Sequence, residues 1–419
     1  MNAEVVALPN ATSAVARRAD GTVHAPLVAL STAGTFHTFD MARQLEKAGM
    51  LAGIHTGYPR FKLGATGLPA RKIHPFPWFK GPYMAGWVPA WLRQEWEYWD
   101  RVSLDAYTAA TLPECAVFCG LSGSGLRSGR TAQRRGARYV CDRGSSHIRY
   151  QDRVLREEYA RWGMHFRGVD PRIMAREEAE YEQADAILVP SSFVRQSFVE
   201  MGVSPAKLRL APYGVDLTRF HPVDRPCPGR FDMIFVGGLS LRKGAHYLFS
   251  AFEALDHAHK TLTIAGVVAA EIAPALERFA EHNPAVRVLG HVQQGELKHL
   301  MSRSHVLVLP SVEEGLALVQ AQAMACACPV VATRNTGAEN LYDDGVEGLI
   351  VEPRDQEALT CALQKLADDP QLRERFSAAC LQRVAGIGGW DQYGRLVTGV
   401  FRELADPVHV GERIPLANS

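Results

Sequence analysis

The chain has 419 residues, of which 47% are apolar, 22% charged and 9% aromatic. That composition excludes disorder, collagen-like repeats and a disulfide-stapled miniprotein, and leaves room for two or three domains. Lys and Arg total 46 against 45 Asp and Glu, a formal net charge of +1, so there is no field of the kind a nucleic-acid binder needs.

Residues 1–24 have few periodic apolar positions and lack the basic-then-apolar order of a secretory leader; they are expected to be disordered. From Ala25 the pattern becomes strand, loop, helix: APLVALS is a buried-strand run, STAGTFHT a small polar loop, and FDMARQLEKAG has helical spacing closed by Gly49. LAGIHTG is a second strand. Residues 75–100 break this rhythm with five tryptophans, Trp78, Trp87, Trp91, Trp96 and Trp99, among prolines and glycines. Alternation resumes with CAVFCG as strand, SGLRSGRTAQRRG as helix and ARYVCD as strand. A polar helical stretch from Tyr150 to about Gln183 leads to the strand AILVPS, then to helix and strand again up to LRLAPYGVD. HPVDRPCPGR, residues 221–230, has three prolines and reads as a linker. Beyond it DMIFVGG, TLTIAG, VRVLG, HVLVLP, PVVAT and GLIV are short apolar strands separated by helices or loops, the spacing of a parallel, helix-covered sheet.

The expected class is therefore α/β, with two Rossmann-like doubly wound domains facing a cleft, because open α/β sheets bind ligands at the carboxyl ends of their strands. The boundaries are 25–220 for the first domain, 231–390 for the second, a helix over 391–404 and a tail from 405. Charge divides along the same line. Residues 1 to 220 carry 28 Lys and Arg against 21 Asp and Glu, net +7, and the remainder carries 18 against 24, net −6. The basic half is the side for an anionic acceptor or a membrane surface. Eight cysteines in a chain this long fall below disulfide-scaffold density, and most lie in apolar runs, so a reducing, cytoplasmic compartment is expected. No segment reaches the roughly 18 apolar residues of a membrane span.

The most informative stretch is PSVEEGLALVQAQAMACACPVVAT, residues 310–333. A strand ends at Pro310, a loop turns at Glu314 and Gly315, and an amphipathic helix follows. Amides at such a helix start bind anions, and a carboxylate just ahead can accept from vicinal sugar hydroxyls. These residues resemble glycosyltransferase family 4, of GT-B fold. Its pattern of Glu-Gly-Phe-Gly, a second Glu eight positions on, Ala-Met-Ala, a Gly and Pro-Val-Val-Ala is matched at Glu314, Gly315, Ala323, Met324, Ala325, Pro329, Val330, Val331, Ala332 and Thr333. The chain departs from it at Leu316, Ala317, Gln322 and Ala327. The resemblance implies that Glu314 touches the donor sugar and that Gln322 takes the ribose position, without the charge assistance of a carboxylate. Backbone amides of Gly315, Leu316, Ala317 and Leu318 are then expected to complete the donor pocket.

FDMIFVGGLSLRKGAHYLFSAF resembles the opening of the family's second domain. Gly237 and Gly238 form the turn, and Arg242 and Lys243 stand where a diphosphate leaving group needs positive partners. Residues 183–222 resemble the family's last strand, helix and strand before its hinge, and residues 336–359 the loop beyond the donor pocket. Trp390 and Tyr393 fall in a terminal helix that, in the family, crosses back to the first domain. The likeness is close over residues 183–404 and only one of pattern before that.

In the first domain, Gly34 occupies the loop that approaches the donor phosphate in the family, with His37 beside it as an acceptor-side candidate. VCDRGSSHIRYQ follows a strand at the cleft edge and adds Asp142, Arg143, Ser145 and His147. The resemblance implies transfer from a nucleotide sugar to a glycan, lipid-linked or small-molecule acceptor, with retention of anomeric configuration and no metal or cofactor. The lack of any Asp-x-Asp agrees with the metal-free reading. Two other functional classes stay open. GLSGSG at 120–125, with Asp142 about twenty residues on, has the layout of a dinucleotide turn and suggests an NAD-dependent oxidoreductase. The departures in the donor motif suggest a non-catalytic binding protein of the same fold. For the tryptophan-rich stretch, core packing, a sugar-stacking acceptor platform and peripheral contact with the inner face of a membrane are all open.

Overall fold

The computed structural model describes residues 25–34, 37–63 and 66–406. The expectation of disorder for residues 1–24 lies outside the described residues, as does the tail from 407 onward. The first half holds a parallel seven-stranded sheet built from β1 (Val28–Thr32), β2 (Leu51–Thr56), β3 (Ile73–Pro75), β4 (Val117–Leu121), β5 (Arg138–Asp142), β6 (Ala186–Val189) and β7 (Leu208–Leu210), in the order β3-β2-β1-β4-β5-β6-β7. Its helices are α1 (Thr38–Lys47), α2 (Lys80–Met84), α3 (Arg93–Thr111), α4 (Leu126–Arg134), α5 (Ile148–Arg161), α6 (Pro171–Gln183) and α7 (Ser192–Glu200). The second half repeats the plan with six parallel strands: β8 (Phe231–Val236), β9 (Lys260–Ala265), β10 (Val286–Gly290), β11 (Val306–Leu309), β12 (Val330–Thr333) and β13 (Gly348–Val351), ordered β10-β9-β8-β11-β12-β13. Around them lie α8 (Ala245–Ala254), α9 (Ala273–His282), α10 (Gln294–Ser302), α11 (Leu318–Ala325), α12 (Gln356–Asp368) and α13 (Pro370–Ile387), before α14 (Gly389–Ala405) closes the chain.

Both sheets are doubly wound, and both reverse direction between the first and fourth strands laid down, at β1/β4 and β8/β11. Every residue of β1, β6, β11 and β12 is buried, because a parallel strand covered by helices on both faces reads as an uninterrupted apolar run. The larger core cluster passes from the first sheet through Tyr213, Val215 and Phe220 of the interdomain segment into the second. Helix α14 returns to the first half. Gln44 and Lys47 of α1 donate to Asp391 Oδ1 at 3.1 and 2.8 Å, while Val397 and Phe401 are fully buried.

Two local expectations change. The polar stretch 150–183 is two helices: the chain reverses through Gly163 and Gly168, both at positive φ, and restarts where Asp170 caps α6 ahead of Pro171. Within the tryptophan-rich stretch, core packing describes none of the five: Trp96 is half-buried, its Nε1 donating to the Phe79 carbonyl at 2.7 Å, and Trp78, Trp87, Trp91 and Trp99 are exposed.

Candidate functional site

The site forms where the turn after β8 meets the loop after β11. The Val312 N–H donates to the Arg242 carbonyl at 2.9 Å, which ties the two loops together. Gly244 holds the left-handed conformation at φ 73° between Lys243 and the start of α8. A Cβ there would overlap the Pro310 carbonyl, so glycine is needed both for the turn and for the approach. The packing turns Arg242 and Lys243 onto the glutamates beyond β11. Lys243 Nζ pairs with Glu314 Oε2. Arg242 Nη1 lies 3.7 Å from Glu314 Oε1 and donates to the Glu313 carbonyl at 3.3 Å and to Glu313 Oε2 at 3.4 Å. Gly237 and Gly238 border open space: no atom lies within 4 Å of a Cβ built on the first, and only the Val267 carbonyl, at 3.8 Å, on the second.

Burial, reinforced by the neighbouring Arg242 charge, pushes the Lys243 ammonium down to about 7, while Glu313 opposes the shift. Burial pushes the Glu313 carboxyl up, but the Arg242 charge and hydrogen bonds from Gln151 and Ser146 outweigh it and hold it below the usual carboxylate range. Two cations thus face two carboxylates at the carboxyl ends of β8 and β11, where this topology binds ligands. An incoming anion would meet both cations at once.

Glu313 is the member of this cluster that the sequence pattern did not single out. It is fully buried and joins the two halves: Ser146 N–H and Oγ–H donate to its Oε1 at 3.2 and 2.7 Å, and Gln151 Nε2 donates to its Oε2 at 2.9 Å. Nothing in the linear pattern separates it from Glu314 except its place one residue earlier. Beside it Gly315 abuts the first half so closely that a Cβ would overlap the Gly144 carbonyl, and Ser191 Oγ–H donates to the Gly315 carbonyl at 2.7 Å.

The rest of the expected donor set is placed unevenly. Leu316 and Ala317 are buried, and the Ala317 amide donates to the Thr336 carbonyl at 3.1 Å, so that amide is already committed. Leu318 begins α11, and Gln322 follows one turn later, half-buried and without a side-chain hydrogen bond among the described residues. Its neighbour Gln320 instead locks the loop, donating to the Thr336 carbonyl at 3.0 Å. Gly34 closes a turn in which its amide donates to Thr32 Oγ1 at 3.3 Å.

On the acceptor side the structure brings His37 to Asp142, Nε2 to Oδ2 at 2.7 Å, and stacks the imidazole on Tyr213 with ring centroids 4.3 Å apart. This pair lies beneath Gly144: a Cβ there would stand 3.6 Å from the imidazole Cε1 and 3.1 Å from the Tyr213 hydroxyl. Ser145 is half-buried beside Gly315. Arg143 and His147 are committed to partners within the first half. The Arg143 guanidinium is buried against Glu177 at 2.5 Å and also donates to the Ser146 carbonyl and to Gln151. His147 caps α5 through Nδ1, packs its ring on Tyr181 and Phe198, and is pushed down to about 4 by burial and by Arg143.

The turn at 120–125 does not present a free dinucleotide site. The Gly123 and Gly125 amides donate to the two carboxylate oxygens of Glu180, and Asp105 accepts from the Arg127 and Ser128 amides at the start of α4. The donors that would cradle a pyrophosphate already hold the protein's own carboxylates.

Residues 34–219 match the model of Glycosyltransferase Family 4, and residues 230–369 that of Glycosyl transferases group 1. The chain is 28% identical over 225 residues to a glycogen synthase of Mycobacterium tuberculosis, covering 52% of this chain and 54% of that one. It is 29% identical over 267 residues to a D-inositol 3-phosphate glycosyltransferase of Pseudarthrobacter chlorophenolicus, covering 59% and 63%. The chain thus spans little more than half the length of these curated relatives. Among solved structures, sucrose-phosphate synthase from Thermosynechococcus elongatus superposes with TM-score 0.68 at 20% identity, over 90% of this chain and 99% of that one. HepE from Anabaena in complex with UDP gives 0.67 at 15%, over 90% and 100%.

Proposed function

The chain belongs to glycosyltransferase family 4, and from that premise we propose that it moves a glycosyl group from a nucleotide sugar, seated in the second half, to an acceptor held by the first. The observation that carries the proposal is the meeting of Arg242 and Lys243 with Glu313 and Glu314 at the β8/β11 switch point. As the bond from the anomeric carbon to the diphosphate breaks, negative charge builds on the leaving phosphate. Arg242 and Lys243 are preplaced donors for that charge, and each such contact is worth about 3 kcal/mol in a transition state. Their present partners are carboxylates, so a bound diphosphate replaces Glu314 on Lys243 and frees its oxygens to accept from sugar hydroxyls. In this reading Gln322 bonds the ribose, and the amides of Gly315, Leu316 and Leu318 line the pocket.

Transfer with retained anomeric configuration, without metal or cofactor, is part of the same proposal: the two cations supply the charge neutralisation a metal would otherwise give. The donor to try first is a uridine diphosphate sugar, because HepE was solved with UDP and with UDP-glucose. The net +7 of the first half favours a phosphorylated or lipid-linked acceptor over a neutral glycan.

The test is a ligand titration followed by kinetics. UDP, GDP or ADP is expected to raise the melting temperature and NAD to leave it unchanged, since binding stabilises the fold in proportion to affinity. Lys243→Ala is expected to lower kcat by about a hundredfold or more with little change in melting. A folded Lys243→Ala protein that transfers at the wild-type rate overturns the assignment.

A further inference from the structure

The segment between β2 and α3 carries an exposed aromatic face that the transfer site does not use. Trp78, Trp87 and Trp91 are 72%, 77% and 78% exposed and Phe61 is 81% exposed, with Tyr83 and Met84 beside them also open to solvent. We propose that this face docks on a bilayer surface bearing anionic lipid, the indoles lying at the level of the head groups.

Charge supports that occupant. Between Glu46 and Glu95 the sequence has seven Lys and Arg and no Asp or Glu. Three of the seven are paired, Lys47 with Asp391, Lys72 with Glu46 and Lys80 with Asp100. Arg60, Lys62, Arg71 and Arg93 are exposed and have no carboxylate partner among the described residues. Of the acids that follow, Glu97 is exposed and accepts from the Tyr83 hydroxyl at 3.4 Å, and the other two are paired. Glu95 accepts from both terminal nitrogens of Arg172 at 2.9 and 2.8 Å. Asp100 lies 3.6 Å from Lys80 and is itself buried. Free cations that flank the indoles in sequence match the two attractions an anionic bilayer offers, head-group charge and the interfacial zone that tryptophan prefers.

The form of the face argues against a second protein surface. Trp78, Trp87 and Trp91 make no ring contact with another aromatic among the described residues, and Gly81, Pro82, Gly86 and Pro89 interrupt them. They are separate amphipathic anchors rather than one closed apolar plate. No helix among the described residues is long and apolar enough to cross a membrane, so the contact is peripheral. The face adjoins the carboxyl ends of β1 and β2: a Cβ on Gly57 would stand 3.3 Å from the Ala33 carbonyl and 3.7 Å from Lys80 Cβ. A docked surface therefore lies beside the acceptor side of the cleft. That last consequence rests on the transfer reading; docking itself does not.

The experiment needs no enzymatic activity. The full chain is sedimented with phosphatidylcholine vesicles, with and without about one-third phosphatidylglycerol, and tryptophan quenching is read with brominated phosphatidylcholine in the anionic set. More than about tenfold stronger binding to anionic vesicles, weakened by salt, is expected, together with quenching. Exchanging Arg60, Lys62, Arg71 or Arg93 for Gln should weaken binding about fivefold per charge. The combined Trp78→Ala, Trp87→Ala, Trp91→Ala variant, checked for an unchanged cooperative melt, should abolish quenching. Absence of wild-type binding, binding without quenching, or concentration-dependent dimers that shield the tryptophans without lipid would each overturn the proposal.

Discussion

At the scale of single residues, the site depends on which of two adjacent glutamates does what. Glu314 faces the cations and is the one the sequence pattern singles out; Glu313 is buried, and its carboxylate receives donors from both halves. Glu313→Gln keeps the shape but turns one acceptor oxygen into a donor facing Gln151 and Arg242. Leaving such donors unsatisfied costs about 1–3 kcal/mol. The expected result is a lower melting temperature together with a fall in kcat/KM of at least about tenfold, read by steady-state kinetics on the folded variant. Unchanged kinetics would show that Arg242 needs no help from Glu313. Residue type and spacing made Arg242, Lys243 and Glu314 legible, because phosphate chemistry requires cations beside a helix start. Arg143 and His147 have the same residue chemistry, yet burial and a competing partner commit them to structure, which linear spacing does not record.

At the scale of elements, α11 shows both a match to the family pattern and the cost of departing from it. The helix ends with Ala327 at φ 62°, where its N–H donates to the Met324 carbonyl at 3.0 Å. The family has glycine here, and an L side chain in the left-handed region costs about 1 kcal/mol. Ala327→Gly is expected to raise the unfolding free energy by about 0.5–1 kcal/mol in denaturant titration without altering activity; a loss of stability would show that the methyl packs better than the backbone relaxes. Strands were the most legible elements, since burial on both faces makes their apolar runs continuous. The three-residue β3 is too short to show a period, and its Pro75 is tolerated because the strand lies at the sheet edge. The break between α5 and α6 escaped the helical pattern because polar residues continue through it while Gly163 and Gly168 turn the backbone.

For the whole molecule, three histidines distributed over both halves tie stability to pH. Burial lowers His55, His147 and His305 each to about 4, with His74, Arg143 and Arg373 as the respective next causes. Between pH 6.5 and 4 the unfolded chain binds protons that the native state refuses. Stability therefore falls as the pH drops through that window, by up to about 1.4 kcal/mol per pH unit for each group. His147→Asn retains a helix cap but does not titrate, so its unfolding free energy should match wild type near pH 7 and fall less steeply below pH 6.5. An identical slope would remove His147 from the account. The sequence by itself determined the two-sheet α/β plan and singled out Arg242, Lys243 and Glu314, which the fold brings together, because apolar period and local turn chemistry are properties of neighbouring residues. Only the tertiary structure decided that Glu180 fills the glycine turn at 120–125, that Glu313 joins the halves, and that Trp78, Trp87 and Trp91 face outward. Those outcomes depend on which partner reaches a group first in space, across separations of tens to hundreds of residues.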